Sequence, residues 1–288
     1  MIVGEPEGSP FLTEVVCIGK RILFLMLGLF ALAAALILYF ILSHRTAREE
    51  ADTYIDIQQA YSAVVEEPKP ATLPKETQQP EETAPALPRV QADFDGLREL
   101  NPDTVGWVHI PDTPISYPVM QAADNSRYLK RDSKGNKSSA GAVFMDAGNC
   151  ADPLDTNTVL YGHNMGSGRE DEMFAPLLQY KDQAFYEAHS LVQFDTHLKA
   201  HGWWEIFAVL HIDLRDKEFN YLTQSFADEE SFSAWLGKAK ARSLYDTGVP
   251  VATSDRILIL STCDRTQYRG NGRFVVMAVW RGTDPLSE

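Results

Sequence analysis

A single uncharged apolar run dominates the N-terminal part of the chain. Residues 22–42 read ILFLMLGLFALAAALILYFIL, 21 residues without a charged side chain. A helix of that length, at about 1.5 Å per residue, covers the hydrocarbon core of a bilayer, which is about 30 Å thick. A cleavable secretory signal has a shorter apolar segment and small residues at its cleavage site, whereas the polar residues 43–46 follow here. The run therefore predicts an uncleaved transmembrane anchor over 22–42.

The charges that flank this run leave its orientation open. Lys20 and Arg21 precede the run, and Arg45 and Arg48 follow it. Orientation follows an excess of Lys and Arg on the cytoplasmic side, and the two sides are equal here.

The segment 43–90 is polar at first and then rich in proline. Residues 43–65 are predicted to be a weakly helical continuation. Six prolines then fall between Glu66 and Val90, a density that is incompatible with both helix and sheet. We therefore predict a stalk over 43–90 that spaces a globular domain, residues 91–284, from the membrane.

The composition of the chain limits what that domain can be. Apolar residues make up 44% of the chain, enough for a core, so collagen-like and wholly disordered classes are excluded. The formal net charge is −14, and so acidic a surface repels phosphate backbones. We predict that the chain has no nucleic-acid partner.

The domain reads as mainly β. Short runs rich in β-branched and aromatic residues are separated by Gly, Pro, Asn and Asp, and their irregular spacing with few helices favours a closed or nearly closed antiparallel barrel. Eight strands are predicted, namely 105–110, 115–119, 142–145, 158–161, 191–194, 203–212, 256–260 and 274–280. A short helix is expected over 93–100. A second helix is indicated by Phe232, Trp235, Leu236 and Ala239 at helical spacing, with Asp228 as its N-cap.

Two residues near the C-terminus favour nucleophilic chemistry. Cys263 ends the apolar strand 256–260 and its continuation, and Arg273 opens the next strand after a loop that contains Gly270 and Gly272. A hairpin of this kind places the thiol and the guanidinium side by side, where the cation favours a thiolate and can hold an oxyanion. Taken alone, Cys263 is equally consistent with a small buried hydrophobe, and Arg273 with a surface salt bridge.

One of the seven histidines stands out as a partner for the thiol. His163 follows the strand 158–161 and lies between Gly162 and Asn164, at a strand end where catalytic residues commonly occur. The other two cysteines have no such context. Cys150 and Cys17 are predicted to be bystander thiols, and the absence of a C-x-x-C pair or an acidic metal loop predicts neither metal nor cofactor.

Together these residues resemble the sortases, cysteine transpeptidases of the Gram-positive cell surface. The family signature is a strand that ends in L-x-T-C, with a downstream Arg and an upstream His, and the chain has LSTC at 260–263 with Arg273 and His163. Several stretches between Asp93 and Gly282 resemble class B in particular. They are NPDTVGWVHIP at 101–111, ISYPVMQ at 115–121, the pairs 124–125 and 128–129, YGHNM at 161–165 and SLYDTG at 243–248.

The resemblance implies a fold, a mechanism and an orientation. The fold would be an eight-stranded sortase β-barrel with accessory helices. Cys263 would attack the Thr carbonyl of an N-P-x-T-x sorting signal, His163 would protonate the leaving amine, and Arg273 would hold the oxyanion. A peptidoglycan or pilin amine would then resolve the thioester. Residues 1–21 would be cytoplasmic, and the catalytic domain would be extracellular on a single-pass anchor.

The resemblance also implies a substrate groove. Its binding residues map onto Asn125, Leu129, Tyr221, Leu222 and Ser261, and the segment 213–248 resembles the class B insertion that walls the groove. Two departures, Ile259 and Asp264, bear on fine specificity. A thiol hydrolase and a non-catalytic, membrane-tethered binding module remain the alternative functions. The partner would be a surface protein that carries a C-terminal sorting signal.

Overall fold

The computed structural model describes residues 10–66, 88–198, 201–264 and 266–283. The chain divides into two compact units, residues 1–49 and residues 50–288. Helix α1 runs over Pro10–Tyr61. Its part from Leu23 onward is long and apolar enough to cross a membrane, and its side chains from 23 to 42 are all exposed. The apolar run of the sequence is therefore one helix that is a candidate membrane span.

The structure differs from the stalk predicted over 43–90. The helix ends only at Tyr61, and in the second unit Tyr54 and Ile57 are buried. Strand β1 (Ser62–Glu66) then pairs antiparallel with β2 (Pro88–Ala92). Apolar residues at 54, 57 and 61 recur at helical spacing, which is why this segment packs instead of extending. The proline-rich stretch 67–87 lies outside the described residues.

Eight further strands close into a barrel, as predicted. They are β3 (Thr104–His109), β4 (Ser116–Met120), β5 (Val143–Met145), β6 (Asn157–Tyr161), β7 (Leu191–Thr196), β8 (Trp203–Asp213), β9 (Ile257–Asp264) and β10 (Gly272–Gly282). Their order around the barrel is β10-β8-β7-β3-β4-β5-β6-β9. Each predicted strand is present, with ends that shift by up to four residues.

The expectation of an antiparallel barrel is wrong at two joints. β4 pairs parallel with β5, and β6 pairs parallel with β9. Parallel neighbours need long crossover connections, and the chain supplies them in segments 121–142 and 162–256. Neighbouring antiparallel strands can be predicted from a short loop, but a partner almost a hundred residues away cannot.

The helices cap and cover the barrel. α2 (Phe94–Leu100) and α3 (Gln183–Ala188) are short, and α4 spans Glu229–Ala241. The predicted α4 is confirmed: Asp228 accepts a hydrogen bond from the Ser231 amide in a capping box, and the predicted apolar stripe is buried. That stripe packs with Phe207, Phe219 and Met277 in a cluster on one side of the barrel wall.

Candidate active site

Cys263 and Arg273 face each other across two paired strands. They are direct partners in the antiparallel register of β9 and β10, as the hairpin predicted. Cys263 is the one half-exposed residue of β9, whose other residues are buried. Arg273 is also half-exposed, and its Nη1 donates to the Gly272 carbonyl at 3.0 Å. The thiol and the guanidinium therefore meet at an accessible end of an otherwise buried hairpin.

His163 reaches the same end of the barrel through a parallel strand pair. In the register of β6 and β9, Tyr161 pairs with Ser261. Hydrogen bonds continue the pairing beyond β6: the Gly162 amide donates to the Ser261 carbonyl at 3.2 Å, and Asn164 Nδ2 donates to the Cys263 carbonyl at 2.9 Å. The carboxyl ends of parallel strands meet at one edge, so His163 and Cys263 extend from equivalent positions on adjacent chains.

The backbone around His163 is tightly packed. A Cβ at Gly162 would lie 2.5 Å from Cγ of Phe174, so only glycine fits before the histidine. The His163 Nε2 lies 2.8 Å from the Leu129 carbonyl oxygen. A carbonyl only accepts, which assigns the proton to Nε2 in the neutral imidazole and leaves Nδ1 as the second position for proton exchange.

A cleft of about 330 Å³ contains all the predicted site residues. It brings together the three candidate catalytic residues and the five candidate binding residues. Its lining comprises Asn125, Leu129, Phe144, Tyr161, Gly162, His163, Leu214, Tyr221, Leu222, Ser261, Thr262, Cys263 and Arg273. The sequence analysis did not single out Phe144, Tyr161, Leu214 or Thr262. Strand alternation at Phe144 and the strand end at Tyr161 were the available signals.

One wall of the cleft follows β4. Asn125 and Leu129 were expected on one face of a short helix, but the structure has a single 3₁₀ turn over Arg127–Leu129, and Asn125 precedes it. Asp124 explains the difference, because its carboxylate accepts hydrogen bonds from the amides of Ser126 and Arg127 and so favours a tight turn. Both residues still line the cleft.

The opposite wall comes from the segment between β8 and α4. Asn157 Nδ2 donates to the carbonyls of Tyr221 and Thr223, at 3.0 and 2.9 Å, and so fixes this segment against β6. The Tyr221 hydroxyl lies 3.1 Å from the Ser261 Oγ. Burial raises the pKa of Tyr221, although Ser261 and the Arg273 charge act in the other direction, so the phenol remains a hydrogen-bond donor. The wall is thus continuous with the cysteine strand.

A buried ionic cluster lies beneath the cysteine. The side chain of Asp264 is fully buried, with its Oδ2 3.1 Å from Lys181 Nζ and 3.3 Å from His211 Nδ1. Burial acts to raise the pKa of Asp264, but hydrogen bonds from Thr266 and Lys181 outweigh it and lower the pKa. Burial and the Lys181 charge lower the pKa of His211, despite the neighbouring Asp264. The end of β9 is therefore held from the face opposite the cleft.

Comparison with known proteins identifies the family. The family model for the Sortase domain matches residues 108–280, more than half of the chain. This chain belongs to the sortase family. Sortase B of Listeria monocytogenes is 39% identical over 187 residues, covering 65% of this chain and 73% of that protein. Sortase B of Staphylococcus aureus is 33% identical over 189 residues, covering 66% and 75%.

Solved sortase structures share the fold. The structure of sortase B from Bacillus anthracis in complex with AAEK1 superposes with a TM-score of 0.65 at 30% identity, covering 82% of this chain and 98% of that one. A Staphylococcus aureus sortase B–substrate complex superposes with a TM-score of 0.60 at 32% identity, covering 66% and 84%. The closed eight-stranded barrel is thus the sortase fold, and the chain is a sortase transpeptidase similar to class B members.

Proposed function

We propose that this sortase cleaves an N-P-x-T-x sorting signal after its Thr, through a thioester on Cys263, and transfers the acyl group to a cell-wall or pilin amine. The observation that carries the proposal is the meeting of three strand ends in one cleft. The register places Cys263 opposite Arg273, and the parallel pairing of β6 with β9 brings His163 alongside. A nucleophile, a proton carrier and a cationic donor are the groups that acyl transfer requires.

The first half-reaction forms the thioester. The Cys263 thiolate attacks the Thr carbonyl carbon, a C–S bond forms, and the carbonyl electrons move to oxygen. Arg273 donates to that oxyanion. When the tetrahedral intermediate collapses, the C–N bond of the signal breaks and His163 transfers a proton to the leaving amine. The C-terminal fragment departs, and the acyl group remains on sulfur.

The second half-reaction regenerates the thiolate. An incoming primary amine attacks the thioester carbonyl, His163 accepts the excess proton, and the C–S bond breaks with Cys263 as the leaving group. The product is a new amide. Water in the place of the amine would give hydrolysis, which is the reaction of the alternative thiol hydrolase.

The cleft walls give the proposal its substrate. Asn125 and Leu129 on one side, with Tyr221, Leu222 and Ser261 on the other, would hold the signal peptide. An amide side chain in the groove favours a polar first residue, because a site built to form hydrogen bonds penalises a ligand that leaves its groups unpaired. Leucine at that position should therefore react poorly.

A competition experiment tests the reaction and its specificity together. Full-length protein in detergent micelles is incubated with equal amounts of an N-P-x-T-x and an L-P-x-T-G peptide, and Cys263 acylation is scored by mass spectrometry. We expect acylation by the Asn-containing peptide in preference. Equal or reversed preference would contradict the class B specificity, and absence of acylation by either peptide would contradict the enzymatic proposal.

An added amine separates transfer from hydrolysis. The Staphylococcus aureus enzyme forms a complex with triglycine, which is therefore a suitable acceptor. We expect a peptide–triglycine conjugate with the wild-type chain and none with Cys263→Ala. Release of the free acid alone, with triglycine present, would favour the hydrolase, and silence in both assays would favour the binding module.

We also propose that α1 anchors the enzyme with residues 1–21 in the cytoplasm, 22–42 in the membrane and the catalytic domain outside. The exposed apolar surface of the helix from 23 to 42 supports this placement. Protease added to intact cells should digest the catalytic domain and spare an epitope tag at the N-terminus. Digestion of that tag in intact cells would contradict the orientation.

A further inference from the structure

Asp146 lies immediately after β5, outside the cleft lining, and organises the residues that form the cleft. It is only 8% exposed. Its Oδ2 accepts hydrogen bonds from Asn125 Nδ2 at 2.9 Å and from the Tyr161 hydroxyl at 2.7 Å. Its Oδ1 accepts from Gln224 Nε2 and from the Gly148 amide, both at 2.9 Å. One buried carboxylate thus joins three separate segments of the chain.

The contacts of Asp146 fix the direction of the Asn125 amide. The Asp146 carboxylate accepts from Asn125 Nδ2, while the backbone amide of Ala147 donates to Asn125 Oδ1 at 2.7 Å. A carboxylate acceptor at one end and an N–H donor at the other leave only one orientation of the amide. Asn125 is exposed and keeps one N–H and one oxygen lone pair for a ligand.

The same carboxylate holds Tyr161 on the neighbouring strand. Burial, the hydrogen bond to Asp146 and the charge of Asp146 all raise the pKa of Tyr161, so this phenol stays a donor over the working range of pH. Its ring packs against Phe144 with centroids 5.2 Å apart, and both rings line the cleft. Asp146 therefore sets the position of an amide and of an aromatic surface at once.

We propose that Asp146 is a positioning residue that sets discrimination at the first position of the sorting signal. The inference rests on the proposed function and adds to it the group that orients Asn125. A held amide offers one donor and one acceptor side by side, and a second amide, the side chain of asparagine, is complementary to that pair. Leucine offers neither group. Freeing the Asn125 amide should therefore remove the preference without removing the chemistry.

Graded substitutions of Asp146 test this role in the full-length protein. Asp146→Ala removes all four acceptor contacts, whereas Asp146→Asn keeps one acceptor oxygen and should restore part of the function. We expect the ratio of kcat/KM values for the N-P-x-T-x and L-P-x-T-G peptides to fall about 10-fold in Asp146→Ala, mainly through KM. Alkylation of Cys263 by iodoacetamide should keep its wild-type rate, because the thiol is not displaced.

Asp195 supplies the matched control. It is 4% exposed and accepts from Arg89, Gln193 and the Gly202 amide, but it does not line the cleft. Asp195→Ala should lower thermal stability and leave the peptide ratio unchanged. An unchanged ratio in both Asp146 variants, or an equal change in Asp195→Ala, would overturn the positioning role while wild-type acylation still supports the proposed function. No acylation by the wild type would overturn both.

Discussion

At the scale of single residues, the first prediction concerns Cys263. Cys263→Ala should abolish thioester formation without unfolding the barrel, because the thiol is the nucleophile and its half-exposed position makes it a minor packing contact. Intact mass after incubation with the sorting peptide measures the first effect, and the thermal midpoint measures the second. Cys150 is exposed and its Sγ contacts the Asp152 carbonyl, so Cys150→Ala is the control and should stay active. Inactivation that follows modification of Cys150 alone would contradict this assignment.

A second residue-scale prediction separates charge from geometry at Arg273. Arg273→Lys keeps the positive charge but loses the planar guanidinium that can hold an oxyanion and a carbonyl together. We expect kcat to fall about 10²- to 10³-fold. Arg281→Lys is the control, because Arg281 lies on the same strand but pairs with Glu205. Near wild-type activity of Arg273→Lys in the transfer assay would return Arg273 to a surface role.

Residue-scale features of the site divide by the range of the contacts that form them. Cys263 and Arg273 are ten positions apart, and a loop with two glycines is enough to predict their pairing. Asp146 has no motif around it, and its partners Asn125 and Gln224 lie 21 and 78 positions away. Such a contact depends on the parallel joints of the barrel, which short-range patterns do not reveal.

At the scale of elements, the Asp264 cluster predicts how the end of β9 responds to pH. Asp264→Asn should lower the free energy of unfolding at pH 7 by about 1–3 kcal/mol, since Lys181 and His211 then lose their carboxylate partner. The pKa of Asp264 is lowered on folding, so its contribution is present above the unfolded pKa of about 3.9 and is lost as the pH falls through the folded value.

Denaturation at several pH values measures this effect. The stability difference between wild type and Asp264→Asn should be constant from pH 7 down to about pH 5 and shrink below about pH 4. Asp213→Asn is the control, because that carboxylate forms an ion pair with Arg215 at the surface and should matter less. A difference that grows on acidification would contradict the ionised Asp264 in the folded state.

Elements with a clear local pattern were predictable, and those that depend on a distant partner were not. The α4 stripe and its Asp228 cap were confirmed in full. The segment after the anchor was expected as a weak helix within a stalk, because its buried residues Tyr54 and Ile57 are sparse among charges. Burial of that face needs the barrel, so tertiary packing decided the outcome.

At the scale of the whole molecule, residues 50–61 connect the N-terminal helix to the back of the active site. The Tyr54 hydroxyl donates to the Gly141 carbonyl, and Glu50 accepts from the Ser139 hydroxyl at 2.7 Å and from Arg169 at 3.2 Å. Gly141 has a φ of +63°, and a Cβ there would lie 3.0 Å from Cδ2 of His163. Arg169 belongs to the loop that follows His163. The helix end therefore supports the segments on which His163 rests.

Truncations test this connection. A chain that begins at Glu50 keeps the compact second unit and should retain both the thermal midpoint and the peptide acylation rate of the full-length protein. A chain that begins at Asp93 loses the burial of Tyr54 and Ile57, worth about 1.5–3 kcal/mol for each apolar side chain, together with the contacts to Gly141, Ser139 and Arg169. We expect it to melt earlier and to acylate more slowly. Tyr54→Phe, made in the chain that begins at Glu50, keeps the packing and loses only the hydroxyl, so it should cost about 1 kcal/mol. Equal activity and equal stability of the two truncated chains would show that the helix end is only a tether, whereas an intermediate effect of Tyr54→Phe would place part of the coupling in its bond to Gly141.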